Sequence, residues 1–132
     1  MPLLSTGDNL ATVEPDASLE NLLLLDGEIM AVGGGFSARF VARRVPANAE
    51  RPHGIMYSLT LHGPGGERVL GYDNAHPLTL RRGAGTWRTP RRDHRHRRDG
   101  RAEPYEFRDA AGLLEDFWTD VEDVLRQEGM ES

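Results

Sequence analysis

From Asp109 onward one pattern dominates the chain. Leu113, Leu114, Phe117, Trp118, Val121, Val124 and Leu125 recur at helical spacing, and Glu115, Asp116, Asp120, Glu122 and Asp123 fill the positions between them. Asp109 is a suitable N-cap and Gly129 a stop signal. A helix of about 18 residues is roughly 27 Å long, enough to cross a small sheet. An element this one-sided cannot stand alone and must lay its apolar stripe on another layer. The stripe predicts burial of Leu114, Phe117, Trp118 and Val121.

The chain upstream supplies strands. Ile55 to His62 and Glu67 to Tyr72 flank Gly63-Pro64-Gly65-Gly66, a strong hairpin signal. In the first arm Ile55, Tyr57, Leu59 and Leu61 face one way and Met56, Ser58, Thr60 and His62 the other. Phe36 to Val45 also alternates, with Phe36, Ala38, Phe40 and Ala42 on one face, and Pro46 ends it. Ala17 to Leu25 fits either a helical turn or two, or a buried strand, because short apolar runs do not separate these. Gly33-Gly34-Gly35 lacks the Lys-Ser/Thr of a phosphate-cradling loop and reads as a turn or bulge. Leu78 to Arg82 and Pro104 to Arg108 are candidates for further short strands. Gly83 to Arg101 is nearly empty of aliphatic residues and reads as a basic loop or poorly covered ribbon, the least ordered internal stretch. The first sixteen residues read as a loose lead-in. The expected fold is one α+β domain over 1–132: an antiparallel sheet of hairpins packed against one long C-terminal amphipathic helix.

With 132 residues, 38% of them apolar, the chain can bury one core. It has no cysteine, which excludes disulfides, thiolate nucleophiles and cysteine-ligated zinc. Its longest aliphatic run, Leu22 to Leu25, is too short to span a bilayer, and no secretory leader is evident, so a cytoplasmic protein without membrane insertion is expected. The net charge of −5 is strongly segregated. Residues 1–38 have six acids and no Arg, residues 39–101 fourteen Arg and five acids, and residues 102–132 ten acids and two Arg. A basic middle between acidic ends suits an anionic ligand such as RNA, or else mutual neutralisation across the fold.

Three segments carry side chains suited to chemistry: Tyr72-Asp73-Asn74 with His76, Asp93-His94-Arg95-His96-Arg97, and Pro104-Tyr105-Glu106-Phe107. In an extended segment His94 and His96 share a face and Arg95 and Arg97 lie on the other. Imidazole titrates near neutrality, so two of them can divide acid and base roles. Arg91, Arg92, Arg95 and Arg97 are candidate phosphate contacts, with Tyr72 and His76 as further substrate contacts. Asp73 and Asn74 are candidates for orienting a histidine, although both residue types also favour turns for their own sake. The same His-x-His spacing suits two metal ligands, with Asp73 or His76 as a third, or simply two solvated residues in a basic loop. No cofactor is required by the acid–base reading. His53 and His62 have no evident partner and read as structural.

The ordered set Leu25-Asp-Gly-Glu-Ile, His53 before Tyr57-Ser-Leu, Arg68-Val-Leu-Gly-Tyr-Asp-Asn-Ala-His, Asp93-His-Arg-His, Pro104-Tyr-Glu-Phe and Leu113-Leu-Glu-Asp-Phe-Trp-x-x-Val121 resembles the TumE-like toxins of bacterial toxin–antitoxin systems, over residues 25–127. The resemblance implies a toxin paired with a helix-turn-helix antitoxin. Nuclease action, here a metal-independent ribonuclease, is the usual supposition for such toxins. Tyr72, Asp73, Asn74, His94 and His96 are the residues it carries over. Many members place His-Arg-His soon after Tyr-Asp-Asn; here nineteen residues, 75–93, intervene. The rival expectation is a non-catalytic module that binds nucleic acid or an acidic partner through the Arg-rich 81–101 segment.

Overall fold

The computed structural model describes residues 17–49, 51–75, 79–82, 85–88 and 93–129. Helix α1 spans Ala17–Leu24 and α2 spans Ala110–Gln127. Strands β1 (Ile29–Gly33), β2 (Phe36–Arg44), β3 (Ile55–His62), β4 (Arg68–Asp73), β7 (His94–His96) and β8 (Ala102–Pro104) form a six-stranded antiparallel sheet in the order β1-β2-β3-β4-β7-β8. The remaining two, β5 (Thr79–Arg82) and β6 (Gly85–Arg88), pair with each other as a two-stranded ribbon in the connection between β4 and β7. The fold is α+β, as the sequence predicts.

Local chemistry explains the elements. The Asp109 carboxylate accepts a 2.7 Å hydrogen bond from the Gly112 N–H and caps α2. Ala110, Leu113, Phe117, Val121 and Val124 are then buried at helical spacing. Leu114 and Trp118, expected in the core, are only partly buried at its margin. The Gly33–Gly35 triplet turns β1 into β2 with φ values of 118°, 60° and 84°, a region that residues with a Cβ avoid. Strand β3 alternates as expected: Ile55, Tyr57, Leu59 and Leu61 are buried and the residues between them are half-buried. These side chains, with Phe40 of β2 and Tyr72 of β4, line the face covered by the helices. The Phe40 and Phe117 rings meet edge to face at 5.7 Å, and the Tyr72 and Phe117 rings at 6.3 Å.

The structure resolves some of the open readings and corrects others. Of the two readings of Ala17 to Leu25 it takes the helix, over Ala17–Leu24, with Leu22 fully buried. Ile29–Gly33 is a further strand. The last strand is Ala102–Pro104, and the expected strand over Pro104 to Arg108 does not form, although the Tyr105 N–H still donates to Asp93 O at 3.0 Å beside β7. Within the basic stretch 83–101, Gly85–Arg88 follows the ribbon alternative, while His94–His96 is an internal strand of the main sheet and not part of a loop. Backbone pairing on both sides outweighs the low apolar content of that strand. The lead-in over 1–16 lies outside the described residues.

The segregated charge is largely matched between elements. Arg95 reaches Asp120 of α2 at 3.0 Å and Glu103 at 3.7 Å, Arg97 reaches Glu103 at 3.0 Å, and Arg44 reaches Glu20 of α1 at 2.7 Å. Arg98 pairs with Glu128 beyond α2. Among the described residues, no helix is long and apolar enough to cross a membrane.

Candidate active site

The sheet register decides what sits beside what. Arg39 of β2 lies opposite Thr60 of β3, Thr60 opposite Gly71 of β4, and Gly71 opposite His96 of β7. One row further along, Val41, Ser58, Asp73 and His94 are neighbours in the same way. By strand alternation both rows lie on the face turned away from the helices. The nineteen intervening residues therefore leave the two motifs adjacent, with β5 and β6 forming a separate ribbon within the interval.

Asp73 stands between the two imidazoles. Its Oδ1 is 3.4 Å from His94 Nε2 and its Oδ2 is 3.4 Å from His96 Nε2. The two rings meet edge to face at 4.9 Å. The Asp73 and His94 side chains are 7% and 6% exposed, against 17% for His96, so His96 is the most open of the three. The Ala75 N–H donates to Asp73 Oδ1 at 3.1 Å and fixes the carboxylate. Gly71 keeps the floor of the neighbouring row low: a Cβ there would come within 3.1 Å of Thr60 Cγ2.

Asn74 is fully buried and spends its amide on backbone. Its Oδ1 accepts from Tyr57 N at 2.9 Å and its Nδ2 donates to Ile55 O at 2.8 Å. It thus continues the β3–β4 ladder one step past Asp73 and holds that residue's position. Tyr72 and Arg95, candidates for substrate contact, face the helices instead. The Tyr72 hydroxyl donates to Asp120 Oδ2 at 2.6 Å, and the Arg95 guanidinium lies 5.4 Å from the Tyr72 ring centre. Arg97 is exposed and bound to Glu103. His76, Arg91 and Arg92 lie outside the described residues.

A second cluster anchors the entry to β7. Asp93 accepts a 2.7 Å hydrogen bond from the Tyr57 hydroxyl, and both its oxygens lie within 3.1 Å of His53 Nε2. The His53 ring packs on Phe107 at 4.2 Å. Arg51 Nε donates to Asn74 O at 3.1 Å, tying the same loop to the end of β4. The expectation that His53 lacks a partner is therefore corrected. His62 also has partners, approaching Thr60 Oγ1 at 3.0 Å and Gly66 O at 3.1 Å. The available sequence signal was position: His53 precedes the Tyr57 strand, and Asp93 directly precedes His94.

A model of the family described as toxin TumE matches residues 32–125, a span that holds the whole sheet except the start of β1, and most of α2. The chain belongs to the TumE toxin family. No curated protein and no solved structure matches it. As a member of a toxin family it implies an antitoxin partner. The matched span contains Asp73, His94 and His96.

Three phenols in this toxin set an alkaline limit on its stability. Burial foremost, and then a bonded carboxylate, push the pKa of Tyr57 (Asp93), Tyr72 (Asp120) and Tyr105 (Asp116) well above the ordinary phenol value of 10.0. Below that value the phenols are protonated in both the folded and the unfolded chain, and their contribution to stability is intact. Above it only the unfolded chain ionises, so stability falls as the pH rises toward the native values. The expected result is a denaturation midpoint that is flat with respect to these groups up to about pH 9 and falls steeply beyond about pH 10, with phenolate absorbance appearing together with unfolding. Phenolate formation in the folded chain near pH 10 by all three residues would contradict it.

Proposed function

We propose that this toxin cleaves RNA by general acid–base catalysis, with His94 and His96 as the acid–base pair and Asp73 as the carboxylate that orients them. The observation that carries this reading is the approach of one nearly buried carboxylate to both imidazoles at 3.4 Å. Asp73 meets the Nε2 atom of each ring. One imidazole takes the proton of a ribose 2′-hydroxyl. The resulting oxyanion attacks the adjacent phosphorus, and the P–O bond to the 5′-oxygen breaks. The other imidazole, protonated beforehand, gives its proton to that oxygen. Asp73 balances the positive charge that each ring bears while it holds two protons. RNA supplies its own nucleophile, so a chain without cysteine lacks nothing for this reaction.

The charges flanking the cluster favour an anionic substrate. Arg39 shares the row of Thr60, Gly71 and His96, and the Arg68 side chain passes within 3.7 Å of the Cβ position of Gly71. Both arginines are exposed and, among the described residues, neither has an ion-pair partner. Binding through the charge of segment 81–101 alone draws less support, since Arg95, Arg97, Arg98 and Arg101 in it are engaged with carboxylates. The proposed partner is a helix-turn-helix antitoxin, and its binding would neutralise this activity in the cell.

Incubation with single-stranded RNA tests the reading. The expected products carry 2′,3′-cyclic phosphate and 5′-hydroxyl ends, and a 2′-deoxy substitution at the cleaved position blocks the reaction. The R39A/R68A double variant should bind RNA more weakly and lower the slope of log K against log salt by about 1.4, at roughly 0.7 per single-strand phosphate contact. Products with 5′-phosphate ends, or cleavage indifferent to the 2′-hydroxyl, would show that the 2′-oxygen is not the nucleophile and sink the mechanism.

A further inference from the structure

We infer that Asp73, His94 and His96 form a binding site for one divalent transition-metal ion of the zinc class. The inference uses the residues of the proposed catalytic cluster but does not depend on their acid–base chemistry.

The argument is geometric. One ligand atom from each residue lies within 4.8 Å of the other two, and the two carboxylate–imidazole separations are both 3.4 Å. A charge-assisted hydrogen bond between such groups closes to about 2.7–2.9 Å. Ligands at about 2.0–2.1 Å from a tetrahedral ion instead sit roughly 3.3–3.4 Å apart. The separations start from different carboxylate oxygens, Oδ1 toward His94 and Oδ2 toward His96, and fit two edges of a zinc coordination polyhedron in which Asp73 offers both oxygens better than two hydrogen bonds. Two imidazoles and one carboxylate suit zinc, cobalt or nickel rather than magnesium or calcium, which prefer all-oxygen shells.

Placement also favours a preformed site. Asp73 and His94 are direct cross-strand partners, and His96 is two residues along the same face, so the backbone ladder sets all three positions. The Ala75 N–H holds the carboxylate from behind, the type of outer contact that orients metal ligands. Three protein ligands leave a fourth position for water or a substrate oxygen. An ion there would occupy the Nε2 atoms that Asp73 orients in the acid–base reading, so ion-bound and acid–base forms of the cluster exclude one another.

The test is titration of chelator-treated full-length toxin with zinc chloride, followed by calorimetry. One ion per chain is expected. His94→Ala and His96→Ala should each weaken binding by at least the roughly 10–100-fold that loss of an outer-shell partner causes, and His62→Ala should not. Cobalt(II) added to the unaltered protein gives a second readout that requires no variant: strong visible absorption of a four- or five-coordinate ion, displaced by zinc. Absence of saturable binding, binding unchanged in both histidine variants, or a weak six-coordinate cobalt spectrum would overturn the inference. RNA cleavage measured in the same samples tests the catalytic reading separately. Inhibition by zinc that a chelator relieves agrees with both. Cleavage that requires zinc keeps the metal site and removes the acid–base pair.

Discussion

His94→Ala and His96→Ala are each expected to lower RNA cleavage by about 10²–10⁴-fold, the usual worth of a general acid or base, while the fold and RNA binding change little. The expectation follows from the register. Both rings meet one carboxylate at 3.4 Å, so neither can be replaced by its neighbour without moving the other. For the same reason the double variant should be little worse than either single one, because residues acting as a unit are strongly non-additive. Asp73→Asn keeps the shape but loses the charge, and should lower the rate with the helical and sheet content intact. The measurements are initial rates of RNA cleavage and growth after induced expression, each with and without the antitoxin gene, alongside circular dichroism. Variants at both histidines that cleave RNA and arrest growth like the parent would exclude the pair from catalysis. The charge-only binding module would then be the better description.

Phe117→Ala is expected to cost roughly 3–5 kcal/mol of stability, the range for truncating a buried aromatic residue. Phe117 is fully buried and its ring meets Phe40, Tyr72 and Trp118 at 5.7, 6.3 and 5.4 Å, so it joins α2 to β2 and β4 at once. Against a typical total of about 5–15 kcal/mol, that loss leaves a marginal domain. Trp118→Ala removes a larger side chain but should cost less, because Trp118 lies at the margin of the core and part of it already meets water. Periodicity alone does not rank the two, since both fall on the same apolar stripe. Chemical denaturation of both variants checks the ranking. A larger loss at Trp118 would mean that the helix is rotated about its axis from the position described.

The sequence by itself determined whatever depends on local periodicity. The 3.6-residue stripe of Leu113 to Leu125 could only be a sided helix, and the alternation of Ile55 to His62 beside a Gly-Pro-Gly-Gly turn could only be a hairpin arm. The pairing of His94 with His96 on one face follows from strand geometry once the segment is extended, which the sheet decides. Which residues those faces meet is a different matter. Strand neighbours are chosen by backbone hydrogen bonds between segments far apart in sequence, and backbone groups are the same for every side chain. Only the tertiary structure brought β7 against β4, set Asp73 opposite His94, and turned Tyr72 and Arg95 toward the acids of α2. It also joined His53 to Asp93 across forty residues, a contact that no local pattern encodes. The composition of 94–96 argued for a loop because it counts side-chain burial. The sheet admitted the segment because, in an internal strand, ladder hydrogen bonds on both sides and the Asp73, Asp120 and Glu103 carboxylates offset the burial of its polar groups.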